Sequence, residues 1–387
     1  MNNSRPLEDA KAARIRAQFP ALKRAAYLNA GTYGPLATVV SRAMATSLRR
    51  QVQRGRLGRE AFREHEETAV RVRELGARLI GAASDEMALT RQTTEGMNIG
   101  VLGLDWERGD RVLTTDQEHY GGLLPLTNLR RRWGVEVDFL RTEELLADPV
   151  GAVERAWTPR TKLLAFSHVS FRTGALLPAV ALAAAVRRMG GLTLVDGAQS
   201  VGAIPVDVAE LGVDFYAFPG QKWLCGPEGT GLLYVRRERQ PNLHPSSPGF
   251  AAVKEMADDG DFLFKPGARR YEGGTFNLPS LAGLAAALEF FLEEVGPDWA
   301  FRRVSGWRQE AASRLEEMGA RLLTPNPAAG LLSFRLEGKK PEDVVANLAK
   351  RKVLVRSINR PSCVRVAAGY YNDADDLERL MEGLKKA

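Results

Sequence analysis

Lysine is scarce in this chain, which makes the few lysines informative. Of 54 basic residues only 12 are Lys, and between Lys23 and Lys254 the sequence offers just Lys162 and Lys222. Lys162 follows TPRT at the start of an apolar run, where a solvated lysine is ordinary. Lys222 sits instead in FPGQKWLCGPEGTG, hemmed by aromatic and glycine residues. Desolvation there favours the neutral amine, the form that makes a Schiff base with a carbonyl; the plainer reading is a lysine on a surface turn. Asp196 ends the apolar run LTLV and opens a turn of small residues, DGAQS. A carboxylate so placed suits a protonated ring nitrogen, which makes the ring an electron sink. Gln199, three residues on, is within reach of another ring substituent. Thr93 and Thr94 fall between a strand pattern and a helix pattern, where hydroxyls, unpaired N–H groups and the positive end of a helix dipole form a phosphate seat. Taken singly, that threonine pair is also an ordinary N-cap.

The elements that must position these residues follow from periodicity. Ser41–Arg54 and Glu60–Ile80 space apolar residues three or four apart and read as helices. From about Glu86 short apolar runs alternate with helical patterns. Strands are predicted at Met87–Thr90, Arg111–Thr115, Val135–Leu140, Leu163–Ser167, Leu192–Asp196, Asp214–Phe218 and Gly231–Val235. Helices are predicted between them at Glu95–Leu104, Tyr120–Trp133 and Pro178–Met189. Strands separated by helices imply an α/β fold with a mostly parallel sheet. Ligands in such a sheet bind beyond the carboxyl ends of the strands. Here those ends read Gln92-Thr93-Thr94, Gln117-Glu118-His119, Ser167 to Ser170, Asp196 to Ser200 and Pro219 to Lys222. Their polarity, repeated at five strand ends, predicts a single shared site. The loop-rich stretch Pro241–Thr275 breaks the rhythm and reads as a mobile flap or a segment reaching a neighbouring subunit. A long helix, Pro279–Glu294, and a compact αβ unit follow it.

Composition narrows the function classes. With 44% hydrophobic and 26% charged residues the chain is neither disordered nor fibrous. The net charge of +7 is dispersed as arginine along helical patterns, without a long basic run or an aromatic RNA-binding signature, so no nucleic-acid partner is expected. No run approaches the roughly 18 apolar residues of a membrane span. The opening, MNNSRPLEDAKAARIRAQFP, is charged where a signal peptide needs an apolar core. Two cysteines, Cys225 and Cys363, make no disulfide framework and share no metal-ligand spacing. A cytoplasmic protein without a membrane partner or a metal site is expected. GPEGTG lacks the Lys-Ser/Thr ending of a P-loop, so nucleotide binding is the poorer reading.

The segment LTLVDGAQSVGAIPVDVAELGVDFYAFPGQKWLCGPEGTGLLYVR resembles the class V aminotransferase group of fold-type I pyridoxal-phosphate (PLP) enzymes. That group holds cysteine desulfurases, isopenicillin N epimerase-like proteins, C–S lyases and true aminotransferases. The likeness runs from YLNAGTYGP to CVRVAAGYYNDADDLERL. It implies a large PLP-binding domain over 31–278, a small C-terminal αβ domain over 279–387, and an N-terminal segment, 1–30, packed on the small domain. By the same resemblance Lys222 holds PLP as a Schiff base, Asp196 pairs with the pyridinium nitrogen, and Gln199 bonds the phenolic oxygen. His119 stacks on the ring, while Thr93 and Thr94 hold the phosphate. Lys222, His119 and Asp196 form the catalytic set; Ser170 and Gln221 complete the cofactor's surroundings. Gly274 and Thr275, in YEGGTFN, touch the phosphate of a partner subunit, which makes a homodimer the minimum working unit. Arg365 clamps the carboxylate of an amino-acid substrate, and Asn29 and Gly31 line the substrate's approach.

Departures from the group's pattern bear on the reaction. Gln221 stands where many relatives carry His, and Phe171 follows Ser170 where desulfurases often place Asn, with Arg172 a candidate to supply the missing contact. Desulfurases that store persulfide present a cysteine on a flexible loop before the arginine. Here Cys363 is two residues before Arg365 and on the same predicted strand, while Cys225 is three residues after Lys222. Both placements argue against a persulfide-forming desulfurase. The expected mechanism has an α-amino acid displace Lys222, which then removes the Cα proton as general base. The expected reaction is that of a class V aminotransferase, with a C–S lyase or desulfurase-like enzyme, or an isopenicillin N epimerase-like enzyme, as the alternative. Tyr33, Tyr120, Arg172 and the stretch 241–273 are candidates for the side-chain pocket and name no substrate. The intact Lys222, Asp196 and Arg365 set argues against a non-catalytic PLP-binding module.

Overall fold

A computed structural model describes residues 10–326 and 328–386; residues 1–9 of the expected N-terminal segment, Pro327 and Ala387 lie outside the described residues. Seven strands form the central sheet: β1 (Met87–Thr90), β2 (Arg111–Thr115), β3 (Glu136–Leu140), β4 (Thr161–Ser167), β5 (Leu192–Asp196), β6 (Phe215–Pro219) and β7 (Gly231–Val235). Their order is β1-β7-β6-β5-β4-β2-β3. Strands β2 to β6 pair in parallel, and β7 runs antiparallel to both of its neighbours. Strands β6 and β7 are buried along their whole length, which explains their unbroken apolar sequences, FYAFP and GLLYV.

A four-stranded antiparallel sheet lies towards the end of the chain: β8 (Arg321–Leu322), β9 (Leu331–Arg335), β10 (Arg356–Asn359) and β11 (Ser362–Ala367), in the order β8-β9-β11-β10. The helices Pro297–Glu317, Pro341–Lys350 and Ala374–Lys385 bury Trp307, Leu348 and Leu380 against it. The beginning of the chain is tied here too. Ala26 and Tyr27 pair in parallel with Val353 and Leu354, Ala30 N–H donates to Ala367, and Arg16 meets Asp376 at 2.7 Å. A segment early in the sequence is therefore carried to the strand that bears Arg365.

The expected loop between Pro241 and Thr275 contains a short hairpin, Val253–Met256 paired with Phe262–Phe264. Its strands are only four and three residues long and mostly exposed, so their apolar alternation is too brief to read. The stretch ends in a buried ion pair. Arg73, on the helix Arg59–Ile80, grips both carboxylate oxygens of Glu272 at 2.9 Å, and Glu272 also accepts from Leu89 N–H of β1 at 2.9 Å. The long helix that follows spans Leu278–Glu289 and passes into a π-helical turn at Phe290–Val295.

Candidate active site

A cavity of ≈ 240 Å³ opens beyond the carboxyl ends of the central strands. Helix α1 (Thr93–Leu102) starts just after β1 and presents Thr93 and Thr94 to it. The Thr93 hydroxyl is buried with no hydrogen-bond partner, a donor at a helix N-terminus awaiting an acceptor. Helix α2 (Tyr120–Trp133) starts just after β2, with His119 as its N-cap. His119 Nδ1 accepts from Gly121 N–H at 3.0 Å, so the neutral ring carries its proton on Nε2. Burial, and then the charge of Lys222, push the imidazole below its ordinary pKa. The ring meets Phe171 edge-on, with centroids 5.0 Å apart.

Asp196 is the last residue of β5 and is buried; its Oδ1 accepts from Ala198 N–H at 2.8 Å. Gln199 is held at both ends of its amide, donating to the Gly31 carbonyl at 2.9 Å and accepting from Trp223 Nε1 at 3.0 Å. Gly31 is closely packed: a Cβ there lies 3.1 Å from both the Arg365 guanidinium and Gln199 Oε1, so a side chain would press on both. Gln221 and Lys222 follow β6 and line the cavity, the Gln221 Oε1 buried without a partner. Burial drives the Lys222 amine down to about 8, against the pull of Asp196 and helped by Arg365 and Arg356. A neutral amine is thereby available near neutral pH.

Arg365 projects from β11 and is buried. It donates to the Phe171 carbonyl at 2.8 Å, to Asn29 Oδ1 at 3.2 Å and to Thr32 Oγ1 at 3.1 Å, while its Nε–H has no acceptor. Burial, and then the nearby Arg356 charge, pull it below its ordinary pKa.

The cavity thus gathers Gly31, Thr93, Thr94, His119, Asp196, Gln199, Gln221, Lys222 and Arg365 from the sequence-derived set. Four others stand apart from its lining. Asn29 backs Arg365. Ser170 turns its hydroxyl to Gln117 at 2.6 Å and caps the backbone of Arg172 and Thr173. Gly274 and the exposed Thr275 follow Glu272 and do not line the cavity of their own chain. Arg172 does not take the place of the missing Asn: it donates to the Arg360 carbonyl at 3.0 Å, and the Phe171 ring occupies the cavity wall instead.

Thr32 and Arg356 line the cavity and went unread in the sequence. Arg356 lies in VLVRSINR, which resembles a solvated strand, and its pairing with Arg365 became visible only once β10 and β11 were in register. An unpartnered hydroxyl at a helix start, a buried carboxylate, an imidazole and a near-neutral amine around one cavity fit a phosphorylated heteroaromatic aldehyde.

Comparison with known proteins bears on this site. A curated relative from Methanothermobacter thermautotrophicus, named as a probable cysteine desulfurase, is 30% identical over 96% of this chain and 97% of its own. Two solved structures of a cystine C–S lyase, C-DES, superpose closely. A variant with glycine covalently linked to its PLP cofactor has a TM-score of 0.91 at 28% identity, covering 95% of this chain and 98% of that one. A complex with the reaction product cysteine persulfide has a TM-score of 0.90 at 29% identity, covering 95% and 99%. The fold is therefore that of the fold-type I PLP enzymes. These names favour the alternative reading, C–S cleavage, over transamination. Residues 27–380 match the family described as Aminotransferase class-V, and the chain belongs to that family.

Proposed function

We propose that this chain is a PLP-dependent lyase that cleaves the Cβ–S bond of a cysteine-derived amino acid, with cystine as the fitting substrate, and releases the sulfur in a diffusible product. The observation that carries the reading is a pair of arginines, Arg365 deep and Arg356 exposed, facing a cavity that also holds Lys222, in a chain whose two cysteines are both buried. Two guanidiniums suit the two carboxylates of cystine. Burial raises both thiols, Cys225 to about 12, which leaves neither as a nucleophile for substrate sulfur. The names of the relatives support C–S cleavage.

Lys222 would hold PLP through Nζ, Asp196 its ring nitrogen, Thr93 and Thr94 its phosphate, with His119 on the ring face and Gln199 and Gln221 at its edge. Gly274 and Thr275 of a second copy would complete the phosphate seat, in a homodimer. Bound PLP supplies the electron sink for the charge left when Cα loses its proton. Arg365 fixes the α-carboxylate and so aims the Cα–H at Lys222. Lys222 Nζ takes that proton as the free amine and, as the ammonium, returns it to the sulfur leaving Cβ. The balance is cystine and water giving cysteine persulfide, pyruvate and ammonium.

The test is to feed cystine to the PLP-loaded protein without a keto-acid acceptor. Pyruvate and persulfide sulfur formed in equal amounts support the reading. Stable conversion of the cofactor to its amine form, with turnover that waits on an added keto acid, makes the enzyme an aminotransferase instead.

A further inference from the structure

Arg356 and Arg365 are directly opposite each other in the antiparallel pair β10–β11. Like charges at such positions repel and ordinarily destabilise a sheet. Here one hydroxyl joins them. Thr32 Oγ1 donates to Asn29 Oδ1 at 2.8 Å and accepts from Arg356 Nη1 and Arg365 Nη2, each at 3.1 Å. A hydroxyl has one hydrogen and two lone pairs, so this one is fully used.

The two arginines differ in how they are held. Arg365 is locked by Phe171, Asn29 and Thr32. Arg356 is exposed and has no ion pair among the described residues; Thr32 ties its guanidinium to the cavity. Without that tie a long side chain samples many rotamers, and ordering it costs entropy on binding. Thr32 itself is placed by backbone: Thr32 N–H donates to the Asn29 carbonyl at 3.0 Å, in the segment bonded to β11.

We propose that Thr32 is a specificity-determining residue that pins Arg356 at a set spacing from Arg365 and so builds a second carboxylate seat into the cavity. The site then selects ligands with a carboxylate at each end over ligands with one. The inference rests on the cystine reading for its choice of substrate, while the seat is a property of binding and not of turnover.

Suberate and octanoate test it on the PLP-loaded protein by titration calorimetry. Suberate carries its carboxylates the same number of chain atoms apart as cystine does, and octanoate is the same chain with one. The parent is expected to prefer suberate. Thr32→Val, which keeps the shape and removes the hydroxyl, is expected to weaken suberate by roughly tenfold and octanoate by less than about twofold, the scale of a hydrogen bond to a charged group. Thr32→Ser is expected to restore the preference, and Thr32→Ala makes the same comparison if the valine variant folds poorly. Equal weakening of both ligands, an unchanged suberate affinity, or a parent that binds the two alike overturns the proposal. If the parent fails to make pyruvate from cystine yet shows the suberate preference and its loss in Thr32→Val, the lyase reading fails and the seat stands.

Discussion

Glu118 accepts two hydrogen bonds from Ser167, one from its backbone N–H at 2.9 Å and one from its hydroxyl at 2.6 Å. Thr115 supplies a third donor. The carboxyl therefore ties the end of β2 to the end of β4, one residue before His119 and beside Asp196, which pairs with Ser167 in register. Two cavity residues are braced by one side chain that does not itself line the cavity.

That brace is expected to leave a pH signature on stability. Burial raises the Glu118 carboxyl from 4.5 to about 7, against the hydrogen bonds that lower it. A folded value above the unfolded one means that the folded chain holds the proton more tightly. The group's contribution is full below about pH 4.5 and is lost as the pH rises through about 7. Glu118→Gln removes the titration. Its urea midpoint, measured relative to the parent in the cofactor-free protein, should climb across that window, and a constant offset would contradict the assignment.

Lys222 gives the complementary prediction at higher pH. Its amine is neutral above about 8, so the rate at which cofactor-free protein takes up PLP covalently should increase as the pH passes that value. Reduction with borohydride and mass measurement reads the uptake. Lys222→Ala should show no fixed cofactor at any pH, and fixation elsewhere on the chain would displace Lys222 from its role.

The buried pair of Arg73 and Glu272 sets the position of the segment leading to Gly274 and Thr275. Arg73→Met leaves the Glu272 carboxylate buried without its cation and is expected to cost about 3–5 kcal/mol of unfolding free energy. Urea unfolding checks this; a loss below about 1 kcal/mol would mean that Glu272 finds another partner or water.

Neither cysteine should be needed for sulfur release. Cys363→Ala and Cys225→Ala are each expected to keep the parent's rate of pyruvate formation from cystine while losing roughly 1–2 kcal/mol of stability to the small cavity left behind. A variant that retains its cofactor and its fold but stops releasing sulfur would restore a persulfide-storing mechanism.

Much of the site was legible because it lies where strand periodicity ends. Thr93, His119, Asp196 and Lys222 each follow an apolar run, and the topology of a parallel sheet brings such positions together whatever their distance in sequence. Ser170 also follows a strand, yet its hydroxyl spends itself on the turn that it begins, a choice made by local backbone geometry that no pattern reports. Arg356 and Thr32 were out of reach for another reason. Their neighbourhood depends on the register of β10 against β11, fixed by the tight turn between them, and on a bridge from Asn29 to Ala367, which joins the two ends of the chain. The hairpin at Val253–Phe264 and the reversed direction of β7 were hidden likewise, the first by brevity and the second because apolar content does not encode strand direction.

The pairing of Ala26 and Tyr27 with Val353 and Leu354 has a consequence for synthesis on the ribosome. The central sheet, with Thr93, Asp196 and Lys222, is encoded before β10 and β11 have been translated. A nascent chain can therefore assemble the side of the cavity lined by Thr93, Asp196 and Lys222 while Asn29 and Thr32 still wait for their partners. Within one chain, the wall formed by Arg356 and Arg365, the proposed carboxylate seat, is therefore the last part of the cavity to be built, after the sheet beneath it is in place.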